Sequence, residues 1–149
     1  MRAILQRVTS GSVTVEGVVR GQIEQGLVVL LGVTHEDTVE QADVLAKKTA
    51  GLRIFDDGQG KMNLSVIDVK GGVLVVSQFT LYANAKGARR PDFLAAARPD
   101  VAEPLVRRYV EQLRLSNVAR VETGVFGAMM QVEIHNDGPV TILLDTETL

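Results

Sequence analysis

Leu27-Val28-Val29-Leu30-Leu31-Gly32-Val33 is seven residues long and carries no charged or hydrogen-bonding side chain. A strand with one wet face alternates apolar and polar residues, whereas a continuous apolar run suits a strand covered on both faces. The run is far short of the roughly 20 residues needed to cross a bilayer as a helix. It is therefore expected at the centre of a sheet with further layers on each side. Working upstream, Ala3-Ile4-Leu5-Gln6-Arg7-Val8 and Ser12-Val13-Thr14-Val15 alternate as paired strands do, and Glu16-Gly17 leads into Val18-Val19-Arg20-Gly21-Gln22-Ile23. β-branched runs around a Gly-containing turn predict a hairpin. Downstream the period changes. Val39, Ala42, Leu45, Ala46 and Ala50 recur at helical spacing behind Asp37 and Thr38, which predicts a capped helix from about Thr38 to Ala50.

Further along, Leu52-Arg53-Ile54-Phe55 reads as a short strand before the solvated turn Asp56-Asp57-Gly58-Gln59-Gly60, and Asn63 to Asp68 is short and mixed. Gly71-Gly72 opens a second buried strand, Val73-Leu74-Val75-Val76-Ser77-Gln78-Phe79. From Tyr82 to Pro91 the residues are small, polar and basic, as in an exposed loop. A second helix carries Ala102, Leu105, Val106, Tyr109, Val110 and Leu113 as one apolar stripe, with Arg107, Arg108, Glu111 and Arg114 outside it. Strands are predicted at Val118 to Glu122, Met130 to His135 and Val140 to Leu144, the last two joined by Asn136-Asp137-Gly138-Pro139. Two main helices cannot cover both faces of so many strands. The reading is a mixed layered α/β domain whose remaining sheet surface packs on more sheet.

Composition narrows the chemistry. The chain has 149 residues, 46% hydrophobic and 23% charged, as expected of one globular domain over residues 1–149. It has no cysteine, which excludes disulfide scaffolds, zinc ribbons, CxxC redox motifs and cysteine nucleophiles. Sixteen Lys and Arg face 18 Asp and Glu, so any nucleic-acid contact must be a local patch. No signal-peptide h-region follows Arg2, and a cytoplasmic protein is expected.

Read locally, the candidate residues have plain explanations. His35 and His135 sit beside acids but not in HExxH spacing, so they read as surface histidines and no metal site is expected. Ser77 and Thr80 end an apolar strand without the GxSxG context or a base that would activate a hydroxyl. Gly138-Pro139 is most simply a tight turn, although neither residue need tie up its carbonyl in a ladder, and free carbonyls suit an ammonium. Lys86, Arg89 and Arg90 fit a solvated loop or a phosphate contact. Only Tyr82 and Phe93 accompany them, so base stacking is weakly indicated.

Taken together, Ser77-Gln78-Phe79-Thr80-Leu81 and Asn136-Asp137-Gly138-Pro139-Val140-Thr141 resemble the two signature motifs of the D-aminoacyl-tRNA deacylases, first known as D-tyrosyl-tRNA deacylases. Gln6-Arg7-Val8, Leu30-Leu31-Gly32-Val33-Thr34-His35, Lys61-Met62-Asn63-Leu64-Ser65, Arg89-Arg90-Pro91 and Gly124-Val125-Phe126-Gly127-Ala128-Met129-Met130 resemble further family segments in family order. The resemblance spans the whole chain.

It implies a compact three-layer α/β/β fold with mixed strand-rich sheets. It also implies a homodimer with active sites at the subunit interface, acting without cofactor or metal on the ester between a D-amino acid, or mischarged glycine, and the 3′ end of tRNA. Membrane and DNA are not implied partners. The family's Gly-Pro pair is cis and enters the other subunit's pocket, which assigns the carbonyls of Gly138 and Pro139 to the substrate's α-ammonium. Arg7 resembles the arginine that orients that loop; read locally, it is a strand-edge surface arginine. Phe79 and Thr80 are expected to present backbone amides to the ester carbonyl, with the Phe79 N–H as main oxyanion donor. Ser77 belongs to the substrate site. Gln78 would help place the terminal adenosine, and Phe126 and Met130 would line its pocket. Attack assisted by the substrate's own 2′-hydroxyl is favoured, with Thr80 in support. A dimeric module that captures a D-amino acid or peptide amine without hydrolysis stays open, as does a threonine-dependent esterase.

Overall fold

A strand buried on both faces needs a core on each side, and the chain builds two. The computed structural model describes residues 1–149, and its central apolar run is β3 (Gly26–Gly32). β1 (Arg2–Val15) and β2 (Val18–Ile23) precede it. After it come α1 (Val39–Gly51), β4 (Phe55–Asp56), β5 (Met62–Leu64) and β6 (Gly72–Ser77). A 3-10 turn (Phe79–Tyr82), α2 (Pro99–Leu115), β7 (Arg120–Thr123) and β8 (Gln131–Asp145) complete the chain. The main sheet runs β2-β1-β3-β6-β7, with β8 on the other edge of β1. β3, β6 and β7 are mutually parallel, and the remaining pairs are antiparallel. Glu16 and Gly17 both adopt positive φ, 49° and 78°, as the two-residue turn between Val15 and Val18 requires.

Alternation along β3 and β6 divides the two cores. Leu27, Val29, Leu31, Val73 and Val75 face the larger cluster, which includes Leu45 of α1 and Leu105, Tyr109 and Leu113 of α2. Val28, Leu74 and Val76 face a smaller cluster with Val8, Val13 and Ile23. β1 and β8 serve both cores. Ala3, Leu5, Val140 and Leu144 pack on the helix side, whereas Val8, Val13, Val132 and Ile134 pack on the other. The changeover coincides with two breaks in the β1–β8 register, between Gln6 and Val8 and between Val8 and Ser10. A bulge bends the strand and reverses which side chains face inward. The second β layer is thus the bent continuation of one sheet, giving the expected helix, sheet and sheet layers.

The two helices are joined by Arg108 and Asp43, with N···O distances of 2.6 and 2.9 Å. The Arg108 guanidinium holds the Asp43 carboxyl below the usual carboxylate range. Beneath them, the fully buried Tyr109 hydroxyl lies 2.7 Å from Thr49 Oγ1, which in turn donates to the Leu45 carbonyl.

Several sequence expectations need correction. The predicted strand at Leu52 to Phe55 pairs only from Phe55, and Asn63 to Asp68 contributes just the end of β5 before turning. Ala3 to Val8 and Ser12 to Val15 are one strand. Phe79 lies beyond β6, in the 3-10 turn. Tyr82 is buried rather than part of the exposed loop. Most consequential, the two strands predicted around Asn136 to Pro139 are a single strand, β8, with the motif bulged from its middle.

Truncating Tyr109 to Ala should cost about 3–5 kcal/mol, because it empties a ring-sized space between the helices and β3. Tyr109→Phe should cost only about 1 kcal/mol, since the Thr49 hydroxyl keeps its Leu45 acceptor. Urea unfolding of the two variants checks the contrast.

Candidate active site

The parallel strands β3 and β6 end together, with Leu31 opposite Ser77, and a cleft of about 620 Å³ opens at that end. Ligands of α/β sheets collect at such carboxyl ends. Ser77, Gln78 and Phe79 form one wall, Phe93 and Val106 stand nearby, and Phe126 and Met130 come from the segment before β8. No residue lining the cleft has an ionisable side chain.

The wall is held in place by backbone contacts and a half-buried ion pair. Gln78 N–H donates to the Leu31 carbonyl at 2.8 Å. The chain then tightens into the 3-10 turn, whose first amides, those of Phe79 and Thr80, have no acceptor within the turn. Gly32 lets the turn settle on β3, because a Cβ there would lie 3.0 Å from Leu81 Cβ and 3.1 Å from the Gln78 carbonyl oxygen. Arg2 secures the far side. It donates to the Leu81 carbonyl at 3.1 Å and to Asp145 at 2.8 Å, and its guanidinium sits 4.5 Å from the centroid of the Tyr82 ring. Burial pushes the Asp145 carboxyl up, but the Arg2 hydrogen bond and neighbouring positive charge bring it below its usual range. Burial raises the Tyr82 hydroxyl far above its ordinary range, and that hydroxyl has no hydrogen-bond partner.

Phe79 is 57% exposed and meets Phe93 edge to face, with centroids 5.1 Å apart. Thr80 Oγ1 accepts a hydrogen bond from the Gln78 side-chain amide. An amide nitrogen cannot take a proton, so this contact orients the hydroxyl without activating it. Lys86, Arg89 and Arg90 are exposed and in no ion pair. Their loop is closed by reciprocal Asn84 and Asp92 backbone bonds of 2.8 and 3.0 Å, directly before Phe93.

The second motif lies elsewhere. Residues 137–140 of β8 face only Arg7 in the β1 ladder. Gly138 and Pro139 are exposed, and the bond between them is cis. Arg7 is 7% exposed, not the surface arginine of the local reading. Its Nη1 donates to the Ile54 carbonyl at 2.8 Å and its Nε to the Asp137 carbonyl at 3.2 Å, with Asp56 and Asp137 carboxylates each at 3.4 Å. A buried guanidinium needs such partners. Asn136, not singled out by sequence reasoning, closes the bulge: its Oδ1 accepts the Val140 N–H at 3.0 Å and its Nδ2 donates to Thr141 Oγ1 at 3.1 Å. Sequence reasoning gives Phe93 only a stacking role, and the spacing that would place it against Phe79 is not visible along the chain.

Ser77, Gln78, Phe79, Phe126 and Met130 are therefore brought together, while Arg7, Gly138 and Pro139 form a separate group. Three strand spacings, β6 to β3 to β1 to β8, separate Ser77 from the Gly138-Pro139 bulge by about 14 Å across the sheet, and the four residues from Ala3 to Arg7 add about 13 Å along the strands.

Comparison with known proteins agrees with this architecture. Residues 4–145 match the family model described as D-Tyr-tRNA(Tyr) deacylase. A D-aminoacyl-tRNA deacylase of Chloroflexus aurantiacus is 58% identical over 149 residues, covering 100% of this chain and 92% of that one. One from Fervidobacterium nodosum is 54% identical over 147 residues, covering 99% and 98%. Among solved structures, "c-Myc DNA Unwinding Element Binding Protein" superposes with TM-score 0.92 at 44% identity, covering 98% of this chain and 99% of its own. "Structural Analysis of a probable eukaryotic D-amino acid tRNA deacylase" superposes with TM-score 0.82 over 96% and 97% of the chains and, at 19% identity, shares the fold. The chain belongs to the D-Tyr-tRNA(Tyr) deacylase family.

Asn136→Ala should free the Val140 amide. Hydrogen exchange at Val140 is expected to quicken and stability to fall by about 1 kcal/mol, while Asn136→Asp, which keeps an acceptor oxygen, should protect that amide nearly as well as the parent.

Proposed function

We propose that the protein hydrolyses the ester of D-aminoacyl-tRNA, and of mischarged glycyl-tRNA, releasing amino acid and tRNA. The observation that carries this reading is a nucleoside-sized cleft with no ionisable side chain, walled by Ser77, Gln78 and Phe79, in a chain 58% identical to a named deacylase. Ester hydrolysis builds negative charge on the carbonyl oxygen. The Phe79 amide, with Thr80 beside it, is a fixed donor for that charge. Ser77, Gln78, Phe126 and Met130 place the terminal adenosine. No side chain in the cleft can take the proton of the attacking water, so the neighbouring 2′-hydroxyl of the substrate organises it, with Thr80 as a supporting hydrogen-bond partner.

The α-ammonium is one carbon from the ester carbonyl, whereas Gly138 and Pro139 of the same chain lie far from Phe79. A second copy can supply them. In this arrangement the partner's Gly-Pro bulge, oriented by Arg7, offers carbonyls to the ammonium, and an L side chain would be driven into that backbone. Glycine has nothing to clash and is accepted. Rejection by clash rather than by fit leaves every D side chain admissible. β8 supports the pairing, since it is a 15-residue edge strand paired only with β1, and a long edge is a template for association. Lys86, Arg89 and Arg90 reach toward the RNA body. The DNA ligand in the name of one structural relative has a weaker counterpart here: the cleft fits one splayed nucleoside, and the chain carries a net charge of -2. No helix is long and apolar enough to cross a membrane.

The protein should release D-amino acid from tRNA while sparing the L ester. A binding module would release nothing, and a conventional esterase would cleave both. Thr80→Ala should keep activity within about tenfold, as loss of one hydrogen bond allows, whereas removal of a nucleophile costs many orders of magnitude. A substrate ending in 2′-deoxyadenosine should turn over far more slowly despite intact binding. An inactive Thr80→Ala protein with normal turnover of the deoxy substrate would restore Thr80 as nucleophile.

Assembly is tested separately by sedimentation. A dimer is expected at assay concentration, and a fully active monomer would exclude the shared site.

A further inference from the structure

Behind the wall formed by Ser77, Val106 and Phe126 lies a second cleft of about 270 Å³ that shares these three residues with the first. Its character is opposite. Where the larger cleft has no ionisable side chain, this one holds Arg107, Arg114 and Glu103 of α2, with Thr123 opposite. Residues 103, 107, 110 and 114 follow helical spacing, so the charged groups line one face of α2 over three turns.

Neither arginine is committed. Arg107 has one ionic partner, Glu103, at 3.8 Å, and both side chains are more than half exposed. Such a pair contributes little and is readily exchanged. Arg114 donates one N–H to the Val121 carbonyl at 3.3 Å, leaving the rest of its fork free. Two guanidinia against one carboxylate leave the cleft with a net positive charge. It lies one side-chain wall away from a pocket sized for a nucleoside. Arginine forks match the paired oxygens of a phosphodiester.

We propose that Arg107 and Arg114 hold the phosphate joining the terminal nucleoside of the RNA substrate to the nucleotide before it. The inference rests on the deacylase reading and adds to it the path by which the strand leaves the adenosine pocket. Lys86, Arg89 and Arg90 do not share a wall with that pocket. They meet the RNA farther from its end. The α2 arginines fix the register of the last linkage, and Glu103 swings to solvent when the phosphate arrives.

The test compares D-aminoacyl-tRNA with 3′-D-aminoacyl-adenosine, which lacks that phosphate. In Arg107→Gln/Arg114→Gln, the ratio of kcat/KM for the tRNA to that for the adenosine ester should fall about tenfold or more, mostly through KM. The slope of log affinity for tRNA against log salt should become shallower by about 0.7, because one phosphate is no longer neutralised. A hairpin substrate with a neutral methylphosphonate at that linkage should bind the parent enzyme more weakly by the same factor and the double variant little more weakly than the natural hairpin does. Equal losses on both substrates, no loss on either, or independent effects of the variant and the methylphosphonate would each overturn the assignment. If the parent protein hydrolyses neither substrate, the deacylase reading fails by itself. The affinity of the uncharged hairpin then decides the arginines: weakened binding by the double variant upholds the phosphate site, and unchanged binding removes it.

Discussion

Burial of β3 on both faces is the constraint from which the rest of the molecule follows. With two faces to cover and two helices available, the chain spends both helices on one face and must build the other cover from sheet. β1 and β8 do this by running past the end of β3 and switching cores at their register breaks. The same burial fixes where a ligand can go. Both faces of the parallel β3–β6 pair are occupied, so the open space lies at its carboxyl end, where the 3-10 turn and α2 diverge.

The bend in β1 and the Gly-Pro bulge are one structural event. Four residues of β8 stand opposite Arg7 alone, and the Arg7 side chain goes inward to meet the Ile54 and Asp137 carbonyls. A buried guanidinium without acceptors would be costly, and the bulge and the Ile54 segment supply them. Conversely, the bulge has no ladder bonds of its own to fix its direction, and Arg7 and Asn136 do so from its two sides. The geometry that projects Gly138 and Pro139 into solvent therefore depends on one charge placed where a strand of this kind would otherwise carry an apolar residue.

The fold is largely legible in the sequence because its decisive signals are local. The apolar run at Leu27 to Val33, the period change after Thr38 and the α2 stripe each report burial over consecutive residues. Gln78, Phe79, Phe126 and Met130 are legible as motif residues, and they do meet in one cleft. What is not legible depends on tertiary pairing. Asn136 to Pro139 has turn composition, and nothing in those four residues says that the flanking segments share one long partner, β1. Arg7 looks like any polar residue at a strand edge, because its acceptors lie 47 and 130 positions away. Phe93 enters the cleft wall through the 93–97 segment, which is tied back to Val33 where Ala97 N–H donates to the Val33 carbonyl.

In the proposed reaction, the absence of ionisable groups from the cleft links chemistry to selectivity. A general base strong enough to activate water for any bound ester would also threaten the L ester, which differs only in the direction of one side chain. Fixed main-chain donors carry no such indiscriminate power. They stabilise a charge that develops only when the carbonyl sits at one position, and that position is set by where the ammonium and the side chain are allowed to lie. A backbone carbonyl on a rigid bulge does not adapt to accommodate a misdirected side chain as a flexible polar group would. In this proposal catalysis and rejection draw on the same property, the fixed direction of peptide groups contacted by Arg7 and Asn136 on one side and by Arg2 and Gly32 on the other.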